Sequence, residues 1–211
     1  MKTQIVSIMA GCFCAICFCP TRTESTLITT EIEAVVDSVR DEGDYLEGKI
    51  KPGDIILGFY VYESTTPDSS PLDPVQGNYW NYAPPAGIAL TVGGFNFMTD
   101  PFNIAFRVAI RNNAPGDVYS IGSSHNLPLS NGTPVESIWW QLNDYTGAAL
   151  LSDALPTTPP NLSNFQSGNV LCFYSGRLYG VDAVVTSVEL IPEPGTVLLF
   201  GVGWLLFRKQ A

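Results

Sequence analysis

One histidine, His125, and five cysteines limit the chemistry open to this chain of 211 residues. A Ser-His-Asp arrangement would have to use His125. No Gly-x-Ser-x-Gly elbow marks a nucleophile, however, and the neighbours Ser123, Ser124, Asn126 and Pro128 read as a surface loop. Zinc sites use three or four protein ligands, mostly His and Cys, and these are not to be found together here. Carboxylates gather in loops, at Asp41, Glu42, Asp44, Asp68 and Asp73, without EF-hand spacing. They read as solvated, with calcium a second reading, and a carboxylate pair for glycoside hydrolysis could still meet from distant strands. No other cofactor is expected. The aromatics Tyr79, Trp80, Tyr82 and Trp139 are the remaining candidates. If exposed, they offer flat apolar faces with polar edges that stack on sugar rings; if buried, they cap or fill a core.

The elements that would position them follow a period of two. Ile32, Ala34 and Val36 alternate with Glu31, Glu33, Val35 and Asp37. Lys51-Pro52-Gly53-Asp54 has the form of a type II turn. It opens the run Ile55 to Tyr62, with Ile55, Leu57, Phe59 and Val61 on one face and Ile56, Gly58, Tyr60 and Tyr62 on the other, both expected to be largely covered. Gly93-Gly94 predicts a bulge or tight turn before Phe95 and Phe97. From Asn103 to Arg111, Ile104, Phe106, Val108 and Ile110 face a core while Arg107 and Arg111 face water. In Ser137 to Asn143 the same alternation puts Trp140 inside and Trp139 outside. Asn131-Gly132 is a hairpin signal. Leu150 to Leu155 reads as a short helical turn, and Val170 to Tyr174 and Val181 to Leu190 as the last two strands. Eight to ten short strands with regular turn signals predict an all-β fold, an antiparallel β-sandwich or jelly roll.

The ends have a different composition. Lys2 precedes an apolar stretch, Ile5 to Cys19, that has the form of a secretory leader, so residues 1–24 are read as a signal peptide. Met9-Ala10-Gly11-Cys12 partly fits a lipobox, the alternative reading. Cys12, Cys14, Cys17 and Cys19 all lie in this leader, which leaves Cys172 without a disulfide partner in the domain over 25–190. Residues 191–211 form a tail: Pro192-Glu193-Pro194, then an apolar segment carrying Val197, Leu198, Leu199, Phe200, Val202, Trp204, Leu205, Leu206 and Phe207, then Arg208 and Lys209. The prolines stop an element from running through, and Pro194 suits the first turn of a following helix. Basic residues stay on the cytoplasmic side, which orients such a transmembrane-type helix with the domain outside. Eleven helical residues span about 16 Å, half of a ~30 Å hydrocarbon core, a length suited to transient insertion.

This three-part tail closely resembles the PEP-CTERM sorting signal of Gram-negative bacterial surface proteins, matched at Pro192, Glu193 and Pro194. The run Gly53-Asp54-Ile55-Ile56-Leu57-Gly58-Phe59-Tyr60-Val61-Tyr62 more loosely resembles an early strand of such ectodomains. The resemblance implies recognition in the inner membrane by an exosortase, removal of the tail, and passage to the cell surface or extracellular matrix.

Of the ten Lys and Arg, Lys2, Arg208 and Lys209 belong to the terminal signals, leaving seven against the twenty Asp and Glu that lie between Glu24 and Glu193. Over residues 22–193 the net charge is −13, which argues against nucleic acid as a partner. The expectation is an exported, non-enzymatic protein with a structural or interaction role. The alternatives are a carbohydrate-binding module contacting exopolysaccharide through Tyr79, Trp80, Tyr82 and Trp139, and a surface glycoside hydrolase. Intact mass of the protein recovered from its native cell tests the terminal signals: both a leader and a tail should be missing from the 22.8 kDa chain, and a full-length tail on the mature protein would refute the sorting assignment.

Overall fold

Side-chain alternation with a period of two commits nearly every element of this chain to a sheet with one apolar face. The computed structural model describes residues 26–113 and 115–192. The leader and the tail from Glu193 onward, with its helix and basic end, lie outside the described residues. Ten strands form: β1 (Leu27–Arg40), β2 (Ile55–Glu63), β3 (Gln76–Asn81), β4 (Gly87–Val92), β5 (Phe95–Met98), β6 (Phe106–Arg111), β7 (Asp117–Ser123), β8 (Ser137–Asp144), β9 (Gly168–Ser175) and β10 (Tyr179–Leu190). A short 3-10 helix at Leu162–Asn164 is the only helix among the described residues. All pairings are antiparallel, in one sheet of order β3-β6-β7-β8-β9-β10-β1-β2-β4-β5.

The sheet curls until its apolar face meets itself. Tyr60 on β2 and Tyr119 on β7, five places apart in the strand order, join hydroxyls at 2.9 Å. Trp140 on β8 packs edge-on to Tyr119, with centroids 5.6 Å apart, and Tyr60 lies on its other side. Phe97 on β5 sits 4.1 Å, centroid to centroid, from Phe173 on β9. At one end Thr99 forms a lone bridge with Asn126, and its hydroxyl meets that of Ser123 at 2.8 Å. At the other, Asn81, the last residue of β3, accepts hydrogen bonds from the N–H of Glu63, the last residue of β2, and from the hydroxyl of Thr66 just beyond it. The space so enclosed is filled by rings and branched aliphatics; Ile32, Ile56, Phe106, Trp140 and Tyr179 are fully buried.

Local chemistry sets the strand ends. The Lys51–Asp54 turn closes with the Asp54 N–H donating to the Lys51 carbonyl at 3.1 Å, and Gly53 takes φ 91°, as a type II turn requires. Gly93 and Gly94, both at positive φ, make the tight β4–β5 hairpin, with Val92 opposite Phe95. Asp144 ends β8 by accepting from the N–H groups of Thr146, Ala148 and Ala149, and these bonds hold its carboxyl below the usual aspartate range. Asp117 accepts from the N–H groups of Asn113 and Leu150.

Two expectations are corrected. The outer face of β2 is not covered: Ile55, Leu57 and Phe59 are 49%, 52% and 45% exposed, because no second layer lies on that side of the sheet. Leu150 to Leu155 forms bends rather than a helical turn, its first N–H being taken by the Asp117 carboxylate. Asn131-Gly132 turns the chain inside the connection between the antiparallel partners β7 and β8, as its hairpin signal predicts, in a long loop where the Gly132 N–H donates to the Leu129 carbonyl.

The Tyr60–Tyr119 hydrogen bond is buried on both sides, so removing one hydroxyl strands the other. Tyr60→Phe and Tyr119→Phe should each cost about 1–3 kcal/mol, and the double variant less than the sum. Urea unfolding of the four proteins checks this; strict additivity would mean the two hydroxyls are not coupled.

Candidate functional site

Antiparallel register brings the outward residues of β3, β6, β7, β8 and β9 into rows across the sheet. One row runs Trp80, Arg107, Gly122, Trp139, Cys172, each opposite the next on neighbouring strands. The next row runs Asn78, Ala109, Ser120, Gln141. A third begins Gln76, Arg111, Val118. The second and third rows, with Arg107 and Trp139 of the first, line an open cleft of about 210 Å³, and Trp80, Gly122 and Cys172 lie beside it on the same face.

One lining residue is aromatic, Trp139, and two more aromatics stand beside the cleft on β3 and just after it. Trp80 is stacked flat on Tyr82, with centroids 5.9 Å apart and planes 3° from parallel, and the Arg107 guanidinium lies 5.4 Å from the Trp80 ring centre. Tyr82 is 68% exposed. Trp139 stands on β8, three strand spacings or about 14 Å from Trp80. Between Trp80 and Trp139 the floor is lowered at Gly122. A Cβ built there would meet only Trp139 Cδ1 and the Ile138 carbonyl oxygen, both at 3.9 Å, so the space above it is open.

The polar edge is supplied by Arg107, Arg111, Gln141 and Asn78. Among the described residues the one ion pair is Lys49–Glu47, so neither arginine is neutralised by a carboxylate at salt-bridge distance. Arg111 Nε is buried with no hydrogen-bond partner among the described residues. The Gln141 amide donates to Asn143 Oδ1 at 2.7 Å, which fixes its carboxamide with the oxygen free to accept. No Asp or Glu lines the cleft.

Of the four aromatics expected to contact sugar, Trp80, Tyr82 and Trp139 share this outer face. Tyr79 does not: it is 7% exposed, points into the core and donates its hydroxyl to the Asp153 carbonyl at 2.8 Å. Its position next to Trp80 in an alternating strand requires that. The arginines were placed on a wet face by sequence, but their meeting with Trp80 depends on β3 pairing with β6 across the intervening β4 and β5. Pro192 is exposed just after the last strand, and the rest of the sorting motif lies outside the described residues.

Elsewhere, Glu31 and Glu189 face each other across β1 and β10, beside Glu33 and Ser187. These three glutamates are exposed on the open face of the sheet. Among the described residues no group of three or more His, Cys, Asp or Glu is arranged to hold a metal ion, and no helix is long and apolar enough to cross a membrane. His125 is exposed, and its carbonyl accepts from the Asp100 N–H at 2.9 Å. No family model, curated protein or solved structure matches the chain.

Cys172 adjoins the cleft behind Trp139. Burial, and secondarily the Asp182 carboxylate, push its thiol up to about 11. At pH 8.5 the folded thiolate should be scarce and alkylation by iodoacetamide roughly a hundredfold slower than in urea. Equal rates folded and unfolded would mean the thiol is freely ionised in the native state.

Proposed function

We propose that this protein is an exported surface or extracellular-matrix protein, delivered through its PEP-CTERM tail, whose curled sheet acts as a sandwich-type ectodomain that binds saccharide. The observation that supports the binding role is the outer-face row Trp80–Arg107–Gly122–Trp139, two indoles on one face beside an open cleft that Trp139, Arg107, Arg111, Gln141 and Asn78 line. Sugar rings present apolar C–H faces and a rim of hydroxyls, and such a cleft meets both demands. The Tyr82–Trp80 stack holds one wall rigid before any ligand arrives, which lowers the ordering cost of binding. An interaction role of this kind needs no cofactor and no catalytic residue. Before processing, the partners are the inner membrane and an exosortase-type enzyme; afterwards, exopolysaccharide.

The sorting half of this reading rests on the tail residues Pro192, Glu193 and Pro194 with the apolar segment and basic end behind them. The binding half is independent of it and is tested on the purified domain. In affinity electrophoresis through gels containing the host's exopolysaccharide, wild type should be retarded. Trp139→Ala and Trp80→Ala should each lose about tenfold or more in affinity. Gly122→Val fills the floor while leaving every wall residue in place, and should do the same. Tyr45→Ala, a ring far from the cleft row, serves as the control for general loss of aromatic surface. Retardation unchanged by all three cleft substitutions would refute the saccharide site.

A further inference from the structure

We propose that the saccharide taken by this cleft is acidic, a glycan bearing carboxylate or sulfate groups that Arg107 and Arg111 receive, an inference that rests on the saccharide reading. The charge of the chain runs the other way, twenty acidic residues against ten basic, so two uncompensated arginines on one small surface are not a sample of its general composition. Both lie on β6, four residues apart with outward-facing Ala109 midway between them, and both line the same cleft. An arginine placed only for solubility turns its guanidinium to water. Arg111 instead has its Nε buried with no acceptor, a donor that costs free energy until a ligand oxygen reaches it. Arg107 lies over the Trp80 ring, where stacking holds its plane and leaves its N–H edge free for an oxygen pair.

The acidic residues do not cancel this. On the outer face, the row that contains Arg107 next meets a carboxylate at Asp182 on β10, four strand spacings away, or about 19 Å. That exceeds the screening length of about 8 Å at physiological salt. Asp68, near β3, is already committed to the N–H groups of Ser70 and Asn78. A neutral glycan would satisfy Trp80 and Trp139 but leave Arg111 Nε to a single hydroxyl. A carboxylate or sulfate supplies paired oxygens that match the guanidinium fork.

The test compares chains of one backbone with and without the anion: polygalacturonate against its carboxyl-reduced form, and dextran sulfate against dextran, each in affinity gels at low and high salt. Wild type should bind at least one charged member about tenfold tighter than its neutral parent, with the advantage shrinking at high salt. Arg111→Gln and the double variant Arg107→Gln/Arg111→Gln should bring the charged-to-neutral affinity ratio down to about one, whatever the neutral affinity becomes, whereas Arg177→Gln, at the β9–β10 turn, should leave the ratio at its wild-type value. A gain confined to polygalacturonate assigns a carboxylate; a gain confined to, or shared by, dextran sulfate assigns sulfate or anions generally. Equal affinity for charged and neutral members overturns the inference and leaves the saccharide site standing. A charge preference that survives in the double variant also overturns it. Failure to bind any of the four, together with the host glycan, overturns both. Circular dichroism melts of each variant separate loss of binding from loss of fold.

Discussion

A sheet of ten strands with one apolar face has no other layer to lie against, so it must cover that face with itself. Strand twist gives the direction of curl, and the curl stops where side chains from remote strands meet. Those meetings are few and specific: Tyr60 with Tyr119, Phe97 with Phe173, and Thr99 with Ser123. The first is the most constraining. Two phenols buried beyond the reach of water must find each other, since either alone would be an unpaired donor in an apolar interior. Burial raises the Tyr60 phenol to about 12 and Tyr119 well above the ordinary tyrosine value, so both are neutral, hydrogen-bonding groups over the physiological range. Together they fix which part of β2 lies over which part of β7.

Once the inner face is committed to packing, all remaining chemistry is displaced to the outside, where it sorts by strand. The outer faces of β1 and β10 carry Glu31, Glu33 and Glu189, and β2 carries exposed Ile55, Leu57 and Phe59. The outer faces of β3, β6 and β8 carry Trp80, Arg107, Arg111 and Trp139. The charge separation is a product of strand order. Because β3 leaves β2 and crosses to the far edge beside β6, the tryptophan-bearing strand lands next to the arginine-bearing one and far from the glutamates. Had β3 paired with β2 as a simple hairpin, Trp80 would sit beside the apolar outer face of β2, away from the arginines, and the cleft would not exist.

The all-β class, the strand positions and the inward or outward sense of Trp139, Trp140 and the β6 residues were legible in the sequence, because a period of two needs only local information. The same rule applied within Asn78 to Tyr82 sends Tyr79 opposite to Trp80 and Tyr82, so its burial was readable there as well. Strand order was not legible. Register between β3 and β6 is set by contacts between residues some thirty positions apart, and no pattern within either strand encodes it. For that reason the arginines were visible as wet residues but not as neighbours of Trp80. The exposed face of β2 misled for a physical reason: an alternating strand rich in Ile, Leu and Phe on both sides reads as covered on both sides, and only the architecture reveals that nothing lies on one of them.

The place where the tail leaves bears on how such a cleft could work during export. The last strand, β10, is flanked on both sides, by β9 and by β1, and is not an edge. The chain exits after Leu190, with the Ile191 N–H still donating to the Thr29 carbonyl. A pull on the proposed tail therefore loads the β1 ladder in shear from Leu190 back to Gly180, and the shorter β9 ladder, Tyr179–Ala183, only at its far end. The cleft row crosses β10 at Asp182, eight residues before Leu190, or about 27 Å along the strand. With the tail seated in a membrane, Trp80 and Trp139 would stand off from the lipid surface by a distance of that order. On the proposed reading, a domain held so would present the cleft to polymer on the far side while the proposed exosortase-type enzyme would work at the near end. Binding and processing then make no competing demands on the same surface.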